Sequence, residues 1–272
     1  MAASTGQHAL RGAVRGRLRR TARDAVYSVY ERRLARRLDP AQAPRHVGVM
    51  IDGNRRWAKA FGGGAADGHR AGADRLLDFL GWCDDAGVQI VTVYLLSTDN
   101  LQRPARELTP LLEIIEDLAA RIGATGRWRV HPIGALDLLP APTARRLKEV
   151  GEATRAVEGT TVNLAVGYGG RRELTDAVRA LLQQHAGRGT SIEELAEVLD
   201  VEHIADHLYT AGQPDPDLVI RTSGEQRLSG FMLWQSAHSE FFFCDALWPD
   251  FRRIDLLRAL RSYAARERRF GA

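Results

Sequence analysis

The chain has 272 residues, of which 44% are hydrophobic and 26% are charged. This composition excludes a disordered chain, and no apolar stretch approaches the ~18 residues that a membrane span needs. Cys83 and Cys244 are too few for a disulfide framework and lack the spacing of a metal site, and the Arg-rich N-terminus does not resemble a secretory signal, so we expect a cytoplasmic protein.

Residues 1–40 form a basic arm with 10 arginines and 3 acidic residues, whereas residues 41–272 carry a small net negative charge. Apolar residues recur every four positions between Leu10 and Leu38, which predicts a helix that is firm over 21–38. Such a helix either lies on an anionic membrane or packs on its own domain. Because the remainder is net acidic, we expect no nucleic-acid partner.

Strands and helices alternate through residues 41–272, which we expect to form one catalytic domain. The predicted strands span 46–51, 88–96, 128–133, 161–166 and 217–220. Helices are expected over 69–86, from an N-cap at Thr109 and Pro110, near 142–156, 171–186 and 193–208, and over 254–268. This order predicts an α/β fold with a mostly parallel central sheet and helices on both faces. Ligands of such sheets bind beyond the carboxyl ends of the strands.

The first predicted strand runs into the polar segment 52–57. A carboxylate at a strand tip, here Asp52, can hold Mg²⁺ together with substrate phosphates. Gly53 and Asn54 suit an unusual turn, and the helix that follows would offer free N–H groups to an anion. With Arg55 and Arg56 adjacent, the segment predicts a diphosphate–magnesium site. A turn capped by Asp52 beside two solvated arginines fits the pattern equally well.

Two further strand ends are polar, at 97–104 and 221–229. Arginine forks match phosphate oxygens, so Arg221 and Arg227 indicate a second anion site, distinct from the first. Glu240 adds a carboxylate beside the apolar residues 241–243. Two diphosphate sites and much apolar surface suggest a reaction between two diphosphate esters with apolar tails.

These segments resemble the motifs of the cis-prenyltransferases, the undecaprenyl diphosphate synthase family. Residues 46–58 are similar to its opening motif, residues 221–240 to its closing motif, and residues 266–271 to its C-terminal tail. The resemblance covers about residues 44–272 and is strongest to the short-chain actinobacterial members, the Z,E-farnesyl diphosphate synthases. It implies the Rossmann-like fold of that family.

The resemblance further implies a homodimeric, Mg²⁺-dependent enzyme that joins isopentenyl diphosphate to geranyl or farnesyl diphosphate in cis. Asp52 and Glu240 would be metal ligands, and Asp52 and Asn100 catalytic residues. Gly53, Asn54, Arg55 and Arg56 would bind the allylic diphosphate, and Ser97, Thr98 and Asp99 would line the same site. Trp57 and His69 stand at substrate-contact positions of the family. The isopentenyl unit would contact Arg103, Arg221, Arg227 and Ser229, and Leu228 completes the predicted substrate contacts. Because an amide is a poor base, we expect Asn100 to position the substrate while a diphosphate oxygen takes the proton.

Some positions depart from the family pattern: Ala65, Leu101 and Gln226 stand where arginine, tryptophan and histidine are common. Leu95 occupies a strand position that is small in long-chain members, which predicts a short C15 product. If Leu95 instead faces the core behind the sheet, it never meets substrate, since neighbouring strand residues alternate faces. A long-chain synthase and a non-catalytic partner subunit of the same fold are the alternatives.

Overall fold

The computed structural model describes residues 30–36 and 38–266. The described residues divide into two compact units, the first made of those up to 43 together with those from 252 onward, and the second of residues 44–251. Most of the predicted helix over 21–38 lies outside the described residues. The expected division into an arm over 1–40 and a catalytic domain over 41–272 stays a prediction.

Six strands build the sheet of the second unit. They are β1 (His46–Met50), β2 (Ile90–Ser97), β3 (Arg129–Ile133), β4 (Thr161–Tyr168), β5 (Leu218–Arg221) and β6 (Glu240–Phe243). Their order is β3-β4-β2-β1-β5-β6, and every neighbouring pair is parallel. All residues of β1 and β5 are buried, as is typical of parallel strands covered on both faces. The predicted α/β fold with a parallel sheet is confirmed.

Seven helices accompany these strands in the described part of the second unit. They are α1 (Asn54–Ala60), α2 (Ala65–Asp85), α3 (Ala105–Ala124), α4 (Ala141–Ala153), α5 (Gly170–Gly187), α6 (Ile192–Val198) and α7 (Val201–Ala205). The predicted start of α3 at Thr109 and Pro110 is wrong, since the Leu108 N–H already donates to the Pro104 carbonyl at 3.1 Å.

Two other predictions about helices need correction. The helix expected over 193–208 is two helices, α6 and α7, because the Asp200 carboxylate accepts the Val201 N–H at 2.6 Å and caps the second one. The helix expected over 69–86 begins four residues earlier, at Ala65, so His69 lies inside α2.

Close packing fixes the segment that follows β1. A Cβ atom on Gly68 of α2 would lie 2.1 Å from the Asn54 carbonyl oxygen, so α1 and α2 approach at a distance that only glycine permits. Trp248 is fully buried, donates its indole N–H to the Gly72 carbonyl at 2.8 Å, and packs edge-on against Phe79. Trp248 and Phe251, both fully buried and stacked on each other, therefore serve packing.

The described part of the first unit is helical. Residues 30–35 form a helical turn, and α8 spans Arg253–Ala264. Arg253 pairs with Glu31 at 3.7 Å, and the Arg258 guanidinium lies 5.9 Å from the centre of the Tyr30 ring. These exposed contacts join the two helical segments within this unit.

Candidate active site

The carboxyl ends of the adjacent strands β1, β2 and β5 border one cavity of about 630 Å³. Its lining divides into a polar set and an apolar set. The polar set comprises Asp52, Asn54, Arg55, Arg56, His69, Ser97, Asp99, Asn100, Arg103, Arg221, Glu225, Arg227 and Ser229. The apolar set includes Ala73 of α2, Tyr94, Leu95 and Leu96 of β2, and Leu111, Ile114, Ile115 and Leu118 of α3. Such a cavity suits a molecule with an anionic head and an apolar tail.

Asp52 is held at the tip of β1 by its backbone. Its N–H is donated to Thr222 Oγ1 at 2.9 Å, and its carbonyl accepts the Trp248 N–H at 2.9 Å. The side chain remains 48% exposed in the cavity wall, and its Oδ2 accepts from Arg221 Nη2 at 2.8 Å. The carboxylate can therefore receive a ligand without a rearrangement of the backbone.

Arg221, the last residue of β5, joins the two predicted anion sites. It is 4% exposed and donates both to Asp52 and, through Nη1, to Ser229 Oγ at 3.0 Å. Its buried Nε–H has no hydrogen-bond partner among the described residues. The two sites predicted to be distinct therefore share one buried arginine, because β1 and β5 are neighbours in the sheet.

His69 lies near two guanidinium groups. Burial, together with the charges of Arg103 and Arg55, lowers the pKa of this histidine from 6.5 to about 4, so the ring is neutral at physiological pH. Burial and the charge of Arg55 also lower the pKa of Arg103. An anion bound between these side chains would offset the charges of the two arginines, which supports a diphosphate site.

The loop after β5 carries a carboxylate that the sequence reasoning missed. Glu225 pairs with Arg227 at 2.9 Å and with Arg56 at 4.0 Å, at the border of the cavity. Ser223 and Ser229 adopt left-handed backbone conformations with φ of 74° and 48°. Strain of this kind persists where the surroundings over-determine it, and it is common at binding sites. The sequence signal that could have identified this carboxylate is an acidic residue, Glu225, between Arg221 and Arg227.

Several predicted site residues do not border the cavity. Trp57 packs on Phe61 with ring centres 5.0 Å apart, and Leu228 packs against a buried cluster around Phe231. Thr98 likewise lies outside the lining and donates its N–H to the Tyr168 carbonyl at 2.9 Å.

Gly53 and Asn54 shape the turn after β1. Gly53 has φ of 103°, and a Cβ atom there would lie 2.8 Å from the Leu247 side chain. Asn54 is 8% exposed and donates its amide N–H to the Ile51 carbonyl at 3.1 Å. Both residues therefore hold the backbone between Asp52 and Arg55 in place, a role that the sequence indicated only as turn-forming.

The structure does not bring Glu240 to Asp52 within one chain. Glu240 is the first residue of β6 and pairs with Leu218, whereas Asp52 follows the far end of β1. The register from Met50 through Arg221 to Phe243 places them about five residues apart along the strands, or about 16 Å. The metal pair implied by the resemblance therefore does not form inside this chain.

A β-bulge changes the expected orientation of Leu95. The pairing of β2 with β4 passes from Tyr94 to Leu96 while the partner strand advances by one residue, from Ala165 to Val166. The extra residue breaks the alternation of faces. Half-buried Leu95 and fully buried Leu96 both border the cavity, so the alternation of faces expected for neighbouring residues of this strand does not hold here.

Comparison with known proteins identifies relatives of the whole domain. A family model described as undecaprenyl diphosphate synthase matches residues 50–271. The (2Z,6E)-farnesyl diphosphate synthase of Thermobifida fusca is 63% identical over 247 residues, or 90% of this chain and 97% of that protein. Isoprenyl transferase 1 of Streptomyces avermitilis is 58% identical over 254 residues, covering 93% and 99% of the two chains.

A solved structure shares the fold. Lavandulyl diphosphate synthase from Lavandula x intermedia, in complex with dimethylallyl diphosphate, superposes with a TM-score of 0.79 at 33% identity. The match covers 85% of this chain and 100% of that chain.

Proposed function

This chain belongs to the undecaprenyl diphosphate synthase family of isoprenyl transferases, and from that premise we propose that it joins isopentenyl diphosphate to an allylic diphosphate with a new cis double bond. Like its relatives, this protein is an enzyme that transfers prenyl groups. The observation that carries the proposal is that one cavity combines arginines at the strand tips with an aliphatic wall on β2 and α3. A prenyl diphosphate has the same division of polarity.

The allylic diphosphate is proposed to lie near Asp52, Arg55 and His69. The charges of Arg103 and Arg55, which together with burial lower the pKa of His69, favour an anion there. The hydrocarbon tail would then contact the aliphatic side chains of β2 and α3, where burial of each methylene contributes about 0.8 kcal/mol. The diphosphate of the isopentenyl unit is assigned to Arg103, Arg227 and Ser229, with Arg221 shared between the two substrates.

The residues that line the cavity fit a Mg²⁺ ion that takes most of its ligands from the substrate. No group of three or more metal-ligating side chains gathers in the part of the chain that the structure describes. Mg²⁺ commonly needs only one or two carboxylates beside phosphates and water. We propose that Asp52 supplies this carboxylate, while Glu240 stays a proposed ligand that this chain does not place beside it. When bound, the ion neutralises charge on the departing diphosphate.

The chain's own side chains bind and orient the reactants. Arg221 holds the Asp52 carboxylate in place through their 2.8 Å contact. Asn100 borders the cavity and has its backbone N–H anchored on Ser97 Oγ at 3.2 Å. We assign Asn100 to positioning the isopentenyl unit, and the proton lost in the last step to a diphosphate oxygen.

A short product is part of the proposal. Leu95 narrows the apolar part of the cavity, and the Thermobifida fusca relative carries the name (2Z,6E)-farnesyl diphosphate synthase. We therefore propose geranyl diphosphate as primer and a C15 product.

The assembly and its location also remain proposals. The edge strand β6 stacks Phe241 on Phe243 with ring centres 6.3 Å apart, and Phe243 is 41% exposed, which supports a homodimer through this edge. Among the described residues no helix is long and apolar enough to cross a membrane. We propose a cytoplasmic location with membrane contact through the basic residues 1–40. Sedimentation with anionic vesicles, compared before and after deletion of that segment, tests the membrane contact.

Release of inorganic pyrophosphate tests the proposed reaction. The protein should release it only when isopentenyl diphosphate, geranyl diphosphate and Mg²⁺ are all present. Omission of either substrate, or addition of a chelator, should abolish release. Release from geranyl diphosphate alone at an equal rate would identify a diphosphatase and reject the proposal.

A further inference from the structure

Glu173 is a buried carboxylate that does not border the active-site cavity. It lies in the first turn of α5 and is 1% exposed. Its Oε1 accepts the Tyr209 N–H and the Gln235 side-chain N–H, both at 3.0 Å, and its Oε2 accepts a short hydrogen bond from the Tyr168 hydroxyl. Burial of a carboxylate is costly unless it is hydrogen-bonded. Three donors hold this one in a single position.

The Tyr168 hydroxyl links Glu173 to the loop that follows β5. Since its hydrogen is donated to Glu173, its oxygen is free to accept, and it accepts the Met232 N–H at 3.2 Å. Next to this contact, the Gly170 N–H donates to the Gly230 carbonyl at 2.8 Å. The end of β4 and the start of α5 thus hold residues 228–232, here called the anchored turn, by two hydrogen bonds.

The anchored turn has a backbone that needs such support. Ser229 and Met232 have φ of 48° and 47°, which side chains with a Cβ rarely adopt. Phe231 between them is fully buried and stacks on Tyr94 with ring centres 5.0 Å apart. A strained turn keeps its conformation only when its contacts over-determine it. The Met232 N–H is one of those contacts.

The anchored turn carries a group of the active site. Ser229 Oγ accepts from Arg221, which donates in turn to Asp52 at 2.8 Å. Arg227 immediately precedes the turn and borders the cavity. A change in the turn at Met232 therefore moves Ser229 and alters how Arg221 is held.

We propose that Glu173 is a positioning residue for the prenyl transfer. Through the Tyr168 hydroxyl it fixes the anchored turn, and so sets Ser229, and Arg227 immediately before the turn, for the diphosphate of the incoming isopentenyl unit. The inference rests on the proposed function, because it assigns that diphosphate to Arg227 and Ser229. Loss of the link should weaken binding of isopentenyl diphosphate more than binding of the allylic substrate.

Two variants and one matched control test the proposal kinetically. Tyr168→Phe and Glu173→Gln each should raise the KM for isopentenyl diphosphate roughly tenfold, the effect of one buried hydrogen bond lost near a ligand. The KM for the allylic substrate should change less than about twofold. Tyr209→Phe removes a similar hydroxyl–carboxylate bond, to Asp176 at 2.7 Å, but keeps the ring that packs near the anchored turn, and should leave both constants unchanged. Equal effects on both substrates, or equal effects in the control, would overturn the proposal.

Amide hydrogen exchange supplies a readout that needs no substrate. In Tyr168→Phe, a peptide covering 228–236 should exchange roughly tenfold faster than in the wild type, while peptides from α2 remain protected. Unchanged exchange in 228–236 would refute the positioning role even if the enzyme condenses the proposed substrates. Loss of protection throughout the chain would also refute it, since the network would then maintain the fold. Faster exchange with no prenyl transfer by the wild type would reject only the proposed function.

Discussion

Replacement of Asp52 separates its role in binding from its role in stability. The carboxylate accepts a hydrogen bond from Arg221, which is 4% exposed, so Asp52→Ala leaves a buried guanidinium with one partner fewer. A hydrogen bond to a charged group contributes about 1.5–3 kcal/mol. Because Asp52 itself is 48% exposed, solvent screens this contact, and we expect a loss of about 1–2 kcal/mol in the free energy of unfolding. Alanine is therefore not a neutral replacement.

Asp52→Asn is the matched control, because its amide oxygen can still accept from Arg221. Its free energy of unfolding should fall by less than about 1 kcal/mol. Both variants should lose roughly 100-fold or more in kcat, since neither offers a charged ligand for Mg²⁺. Urea unfolding followed by circular dichroism gives the first quantity, and pyrophosphate release gives the second. A folded Asp52→Asn protein with more than about a tenth of the wild-type kcat would refute the metal-ligand assignment.

Three other measurements probe separate parts of the structure. Arg227→Lys should raise the KM for isopentenyl diphosphate roughly tenfold, because it removes a bidentate fork. Arg221→Lys should raise the KM of both substrates, because Arg221 contacts Asp52. If Arg227→Lys raises only the KM of the allylic substrate, the two anion sites are exchanged. Leu95→Ala should lengthen the product by at least one C5 unit, read by mass spectrometry, and an active variant with unchanged product would reject this gate. Burial lowers the pKa of His46 from 6.5 to about 4 in the folded protein. As pH falls, the unfolded chain therefore binds a proton at this histidine before the folded chain does. The free energy of unfolding should fall by up to about 3 kcal/mol as pH drops from 6.5 to 4. Urea titrations at pH 7 and pH 5 measure this loss, which His46→Gln should reduce, and an identical pH dependence in that variant would contradict it.

Local patterns were sufficient to locate the sheet and the strand tips. Each buried apolar run became a strand, and the rule that ligands bind beyond the carboxyl ends of parallel strands led to Asp52, Ser97 and Arg221. These predictions succeed because they depend on one segment at a time. The turn at Gly53 is of the same kind, since its φ of 103° follows from the glycine itself.

Features that depend on two segments could not be predicted from one sequence. The bulge that turns Leu95 toward the cavity arises from its pairing with β4, and the sharing of Arg221 arises from the neighbouring positions of β1 and β5. Glu240 is the first residue of its strand rather than the residue after it, so the strand-tip rule does not bring it to Asp52 within one chain. Its role as a metal ligand, implied by the resemblance, stays a prediction.

The chemical identity of the product tests the central proposal most directly. The wild-type protein is incubated with isopentenyl diphosphate, geranyl diphosphate and Mg²⁺. Chain length is then read by mass spectrometry, and double-bond geometry by chromatography against Z,E and E,E standards. The bulk of Leu95 at the cavity wall predicts a C15 diphosphate, and membership of the family predicts that its new double bond is Z. An E,E product would contradict cis transfer. A product of C50 or longer would contradict the proposal that Leu95 limits the length of the product.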